Sequence, residues 1–231
     1  MKPIYYVGGS KGGVGKSLVS IALIDYLKNK KQEKVLLVET DTSNPDVYKV
    51  YSDTIPAVTI NLDNSEGWIE LLNNCHDYKD AAVVINSAAR SNDGIKNYGE
   101  FLTKAVDDLK RQLVVFWVIN GQRDSLELLL DFKNAMPTAT IHVVCNQFFF
   151  YSESISDFKI YDQSKVKKDI ESSGGKSLLF SSLTTRISNR IYNDRMTIEG
   201  GVGGQMITYG DRVVLAGWRN EVYKMFNEAI A

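Results

Sequence analysis

The sequence predicts a three-layer α/β domain, a doubly wound and mostly parallel sheet of about seven strands between two layers of helices. Three observations carry that expectation. Short apolar bursts alternate with stretches whose apolar residues recur at three and four positions, the patterns of strand and helix taken in turn. The bursts are apolar at nearly every position, as strands buried on both faces are. A glycine-rich run joins the first burst to the first helical stretch, the position in which such a run can cradle a phosphate group.

Taken in order, strands are expected from Ile4 to Val7, Val35 to Val38, Ala57 to Ile60, Ala81 to Ile85, Leu113 to Ile119 and Ile141 to Cys145, with a seventh from Ser177 to Phe180. The first helix is expected from Lys16 to Lys30, where Val19, Ala22, Leu23, Tyr26 and Leu27 share one face. Further helices are expected around Trp68 and Leu71, from Ile95 to Arg111, from Ser125 to Asn134 and from Ser164 to Ser172. Gly174-Gly175-Lys176-Ser177 resembles a second phosphate loop but precedes a strand instead of following one, so it reads as a helix stop. Residues 194–210, with Gly200, Gly201, Gly203 and Gly204, read as a flexible loop segment. The final stretch, Asp211 to Ala231, places Val214, Trp218, Val222, Met225 and Phe226 at helical spacing, a core-packing helix.

Composition fits one domain spanning residues 1–231. The chain is 44% hydrophobic and carries a formal net charge of -1, so it lacks the global basic signature of a nucleic-acid binder. Cys75 and Cys145 have no metal or redox spacing and form no ligand cluster with His76 and His142. Reduced, structural thiols in a cytoplasmic protein are the expectation. No secretory leader is read before the strand at Ile4, and no apolar run reaches membrane-spanning length.

The run Ser10-Lys11-Gly12-Gly13-Val14-Gly15-Lys16-Ser17 carries the chemistry. Its glycines let the backbone turn tightly and aim N–H groups inward, Lys16 can reach terminal phosphates, and the Ser17 hydroxyl can join a Mg²⁺ shell. Serine stands at position 10 where the general motif asks for glycine, and a second lysine, Lys11, lies five positions before Lys16. The stretch Lys-Gly-Gly-Val-Gly-Lys-Ser resembles the deviant Walker A loop of the ParA/MinD family of ATPases, of the SIMIBI class. The resemblance implies the P-loop NTPase fold, ATP and Mg²⁺ as ligands, and an ATP-dependent homodimer in which Lys11 reaches the partner's nucleotide. The plain alternative is a solvated loop lysine. The nucleotide would be held by Gly12, Gly13, Val14, Gly15, Lys16, Ser17 and Leu18.

The same resemblance gives roles to residues just after the strands, where ligands of such sheets sit. In Glu39-Thr40-Asp41-Thr42-Ser43-Asn44-Pro45-Asp46, Asp41 matches the acid that positions the hydrolytic water and contacts Mg²⁺ through water; its alternative is an acid near a helix start. Glu39 stands where many relatives have aspartate. In Ile85-Asn86-Ser87-Ala88-Ala89-Arg90, Asn86 replaces the aspartate that holds a Mg²⁺-bound water, and its uncharged amide brings no negative charge to the ion. This puts catalysis, more than binding, in question; if Asn86 limits turnover, aspartate there should raise it. Arg90, Ser91 and Asn92 match the segment that senses the γ-phosphate, or form a polar turn. Asn146 matches the residue that reads the adenine edge, or is a turn residue, and Ser181 and Ser182 are weaker candidates for the base pocket.

Within the family, Val7-Gly8-Gly9-Ser10 and Asp41-Thr42-Ser43-Asn44-Pro45 look most like small plasmid-borne StbB-like and TraL-like proteins of plasmid stability or conjugative transfer. The implied function is an ATP-binding switch that dimerises on ATP and hydrolyses it slowly, with Lys11, Lys16 and Asp41 as its catalytic set. DNA or a DNA-binding adaptor is the implied partner. Lys165, Lys167, Lys168, Arg186, Arg190 and Arg195 form a dispersed basic set that reads either as a DNA-facing strip or, more plainly, as solvated surface. A membrane is not expected as a partner, because the last helix carries only Arg212, Arg219 and Lys224 among acids. Two other classes stay open: a module that holds ATP without turning it over, which Asn86 favours, and a P-loop metabolic ligase or kinase, for which no second cluster of polar residues is evident.

Overall fold

The computed structural model describes residues 1–9, 12–89, 92–150, 154–204 and 206–230. Its centre is a seven-stranded, wholly parallel sheet in the order β3-β2-β4-β1-β5-β6-β7. The strands are β1 (Ile4–Gly9), β2 (Val35–Glu39), β3 (Ala57–Thr59), β4 (Ala82–Asn86), β5 (Leu113–Ile119), β6 (Thr140–Asn146) and β7 (Ser177–Phe180). The helices are α1 (Lys16–Asp25), α2 (Asp46–Tyr51), α3 (Ser65–Asp77), α4 (Asn92–Asp108), α5 (Arg123–Ala135), α6 (Lys159–Asp162), α7 (Lys165–Ser172), α8 (Thr185–Asn193), α9 (Ile198–Val202) and α10 (Tyr209–Ala229).

The strand pattern explains the layers. In β1, Tyr5 and Val7 face a core shared with α1, α2, α8, α9 and α10, whereas Ile4 and Tyr6 face a second core shared with α3, α4, α5 and α7. Alternate side chains of a strand point to opposite faces, so a continuously apolar strand is what two covered faces require. All seven strands are parallel, where the sequence predicts mostly parallel pairing. Every β-strand therefore ends at the same edge, and the loops that follow β1, β2, β4 and β6 converge there.

Several elements depart from expectation. The first helix is regular only to Asp25 and widens into a π turn over Tyr26–Lys30. The segment expected to be a flexible loop contains α9, with Met196 and Ile198 fully buried in the core; apolar residues flanking the glycines anchor it. In α10 the inward positions are Leu215, Trp218, Val222, Met225 and Phe226, while Val214 is 48% exposed, so Leu215 takes the core position assigned to Val214. The Gly174 turn, at φ +85°, does end α7: Gly175 N–H returns to the Ile170 carbonyl at 2.9 Å.

Two cations, Arg219 partly buried and Arg111 buried, fasten the layers. Arg219 of α10 grips the buried carboxylate of Asp25 at the end of α1 with two N–H donors, at 2.7 and 3.1 Å, and Tyr223 donates to the same carboxylate at 2.7 Å. At the opposite edge from the converging loops, the Arg111 guanidinium donates to the carbonyls of Lys2, Pro3, Cys75 and Ala81 at 2.7–3.2 Å, tying β1, α3 and the entrance of β4 together. Cys75 and Cys145 are free and buried. Among the described residues no helix is long and apolar enough to cross a membrane, and no cluster of His, Cys, Asp or Glu could hold a metal ion on its own.

Candidate nucleotide site

Residues 12–15 lead into α1 and make a tight turn in which Gly13 and Gly15 adopt φ of +77° and +106°. Gly15 is required twice over. Its backbone lies in the left-handed region that disfavours side chains, and a Cβ there would sit 2.4 Å from the Asn146 amide nitrogen. Gly15 also starts α1 without any side-chain cap, and the first turn of the helix holds no acidic residue. The leading N–H groups and the positive end of the helix dipole therefore face the loop, the arrangement that favours an anion.

The loop forms one wall of a 380 Å³ cavity, to which Gly12, Gly13, Gly15, Lys16 and Ser17 contribute. Asp41, Asn44 and Asp46 from the segment after β2 form a second wall, and Ser87 and Ala89 after β4 with Tyr192 of α8 complete the lining. Lys16 is buried, and that burial lowers its ammonium pKa against the opposing pull of Asp41 and Glu39. Leu18 packs against the core on the α1 side, and buried Val14 gives its carbonyl to Asn146, so neither lines the cavity.

Asp41 is held in an Asx turn: Oδ1 accepts from the Ser43 hydroxyl at 2.7 Å and from the Asn44 N–H at 3.1 Å. It is not the cap of α2, which Pro45 precedes. The turn leaves the carboxylate on the cavity wall opposite Lys16 and Ser17. Lys11, Arg90 and Ser91 lie outside the described residues.

Beneath the cavity Glu39 and Asn86 form a buried couple. Asn86 Nδ2 donates to Glu39 Oε1 at 2.8 Å, and Asn86 Oδ1 accepts from the Ser20 hydroxyl of α1 at 2.8 Å. Glu39 further accepts the Asp41 N–H at 3.0 Å and the Val47 N–H at 3.2 Å. One carboxylate thus sets the end of β2, the Asp41 turn and the start of α2. Burial pushes the Glu39 carboxyl up to about 7, although its hydrogen bonds from Asn86, Asp41, Tyr48 and Val47 oppose the rise. Thr40 adds a second tie, its hydroxyl donating to the Asn86 carbonyl at 3.0 Å and accepting the Ala88 N–H at 2.9 Å. Asn86 is therefore spent on Ser20 and Glu39 and is not among the cavity-lining residues, in contrast to the water contact expected of it.

Asn146 ends β6 beside the loop. Its Nδ2 donates to the Val14 carbonyl at 2.8 Å and its Oδ1 accepts the Phe148 N–H at 3.1 Å, so the side chain braces the phosphate loop and starts the turn after β6. Ser181 lends its carbonyl to the Trp218 indole, and neither it nor Ser182 lines the cavity. Three members of the dispersed basic set are ion-paired, Lys167 with Asp162 at 2.6 Å, Arg186 with Asp211 at 3.0 Å and Arg190 with Asp194 at 2.9 Å.

Four contributors were not legible as site residues. Ser87 and Thr40 sit inside the segments singled out after β4 and β2, and strand alternation could have flagged them as neighbours of the expected contacts. Ser20 and Tyr192 could not be found that way, because only the fold brings α1's second turn under Asn86 and α8 across to Asp46.

The family described as CobQ/CobB/MinD/ParA nucleotide binding domain matches residues 5–146. Protein MobD of Acidithiobacillus ferrooxidans is 47% identical over 229 residues, covering 99% of this chain and 98% of that protein. Among solved structures, the cell division ATPase MinD of Pyrococcus furiosus superposes with a TM-score of 0.58 at 13% identity, over 99% of both chains. MinD of Pyrococcus horikoshii, solved with Mg-ADP, gives 0.56 at 14% identity over 99% of this chain and 98% of its own. A ParA family ATPase of Chlorobium tepidum gives 0.56 at 13% over 95% and 98%. These structures share the fold, and together with the matched segment and the MobD likeness they establish that the chain belongs to the CobQ/CobB/MinD/ParA nucleotide-binding family.

Proposed function

We propose that this protein is an ATP-driven switch: it binds ATP with Mg²⁺, pairs with a second copy while ATP is bound, and separates after slow hydrolysis. The observation that carries this reading is the uncapped, glycine-built loop at the start of α1 facing Asp41 across one cavity. Backbone N–H groups of residues 12–15 and the Lys16 ammonium would hold the phosphates, and Ser17 would give its hydroxyl to Mg²⁺, which Asp41 would reach through water. Bound Mg²⁺ supplies positive charge to the phosphates. Asp41, fixed by Ser43 and the Asn44 N–H, would order an attacking water. The Mg-ADP bound by the Pyrococcus horikoshii MinD supports the ligand assignment.

The cellular role we assign is plasmid partition or stability, or conjugative DNA transfer, in keeping with the likeness to MobD. The ion pairs of Lys167, Arg186 and Arg190 favour a DNA-binding adaptor over direct phosphate contact by those residues. A second reading, ATP held with little turnover, is favoured by Asn86, which leaves the end of β4 without a carboxylate.

Sedimentation with Mg²⁺ and either ATP or ADP tests the switch. A dimer with ATP alone, lost in Lys11→Ala, supports it. A monomer in both nucleotides rejects it, and a dimer whose ATP shows no phosphate release selects the second reading.

A further inference from the structure

Asn86 bridges Ser20 and Glu39 and does not line the cavity, whereas the residue after it does. Ser87 is 2% exposed, lines the same cavity as Lys16, Ser17 and Asp41, and its hydroxyl has no hydrogen-bond partner. Buried hydroxyls are satisfied almost without exception, because an unmade hydrogen bond away from water is costly. Only one other buried side-chain atom among the described residues shares this condition, Glu33 Oε2, whose sister oxygen is ion-paired with Lys2 at 2.9 Å.

The position of Ser87 is rigid. Its own N–H donates to the Val7 carbonyl at 3.1 Å, the preceding carbonyl is held by Thr40, and the following N–H donates to the Thr40 hydroxyl at 2.9 Å. Backbone bonds on both sides therefore fix the side chain without using it. A hydroxyl can donate to a phosphate oxygen or accept from a metal-bound water, and here it faces the loop that presents N–H groups to an anion.

We propose that Ser87 is a positioning residue for the phosphate–metal end of the bound nucleotide, supplying the polar contact that Asn86 has given up; this rests on the nucleotide-binding reading above. The site is thus built from the Asn86-Ser87 pair with divided labour. Asn86 holds the strand ends together, and Ser87 meets the ligand.

Ser87→Ala tests this with two readouts. Thermal unfolding without nucleotide should be unchanged or slightly higher, since alanine removes an unsatisfied hydroxyl and keeps every backbone bond. Titration of a fluorescent ATP analogue with Mg²⁺ should show affinity lower by about ten-fold, the effect of one lost hydrogen bond to a charged group. Equal affinity of Ser87→Ala and wild type would overturn the assignment to Ser87 while leaving the nucleotide reading intact. A lowered unfolding midpoint without nucleotide would also overturn it, by showing that the hydroxyl is bonded within the fold. If wild type itself fails to bind the analogue, the nucleotide reading falls and the Ser87 role with it.

Discussion

Replacing Asn86 with aspartate introduces an acid at the end of β4, and the structure predicts that it puts two carboxylates into one buried contact. The Asn86 amide now donates to Glu39 Oε1 at 2.8 Å; in Asn86→Asp that contact becomes oxygen against oxygen. Two unit charges at such a separation repel by about 6 kcal/mol at an effective dielectric of about 20. The pair avoids this by keeping one proton, as close carboxylates do, and Glu39 is already pushed up to about 7 by burial. The folded state then holds a proton that the unfolded chain releases, so stability falls as pH rises. Asn86→Asp should cost about 1 kcal/mol at pH near 5.5, where Glu39 is protonated anyway, and about 2.4 kcal/mol near pH 8. Adding Glu39→Gln returns the pair to one carboxylate and one amide and should remove most of the pH dependence. Phosphate release should rise in the double variant and not in Asn86→Asp alone. Urea denaturation at the two pH values measures the first effect. A cost equal at both, or no relief from Glu39→Gln, would refute the buried-couple reasoning.

Removing the carboxylate in Asp25→Ala strands the Arg219 guanidinium and the Tyr223 hydroxyl at the joint between α1 and α10, and should lower unfolding stability by about 3 kcal/mol in denaturant titration. Two groups act oppositely on the acid limb. Glu39, raised from 4.5 to about 7, contributes stability that is fully present below 4.5 and fades as pH rises through 7. His142, held down from 6.5 to about 4 chiefly by burial, contributes fully above 6.5 and loses its contribution as pH falls through 4. Glu39→Gln should therefore unmask His142, giving a stability that climbs by about 2 kcal/mol from pH 4.5 to 6.5 where wild type stays flatter; urea midpoints across that range check it.

The fold was legible because burial on both faces leaves little room for polar residues in the strands. Leu113–Ile119 and Ser177–Phe180 emerge with their predicted limits, and the glycine run falls between β1 and α1 as its chemistry requires. What stayed hidden depends on contacts distant in sequence. Glu39 reads as an ambiguous acid until β2 and β4 pair and set it against Asn86. Arg219 reads as a surface cation on the last helix, since its partner Asp25 lies near the other end of the chain. Arg111 closes the predicted third helix on paper, yet its guanidinium gathers carbonyls from three separate segments. The choice between Val214 and Leu215 as the inward residue of α10 is a shift of one position in a helix flanked by apolar residues on both sides, which periodicity alone leaves open. Asn146 illustrates the same limit at the site, because an amide at a strand end suits a base edge and a neighbouring loop equally well, and here it braces the Val14 carbonyl.

If the loop before α1 holds the phosphates of a Mg²⁺-bound nucleotide, calorimetric titration of Mg·ATP into wild type and Lys16→Ala will reveal it. Saturable one-to-one binding to wild type, weakened by at least about ten-fold when the buried ammonium is removed, is the predicted result. Wild type that takes up no nucleotide, or a Lys16→Ala variant that binds as tightly as wild type, would contradict it.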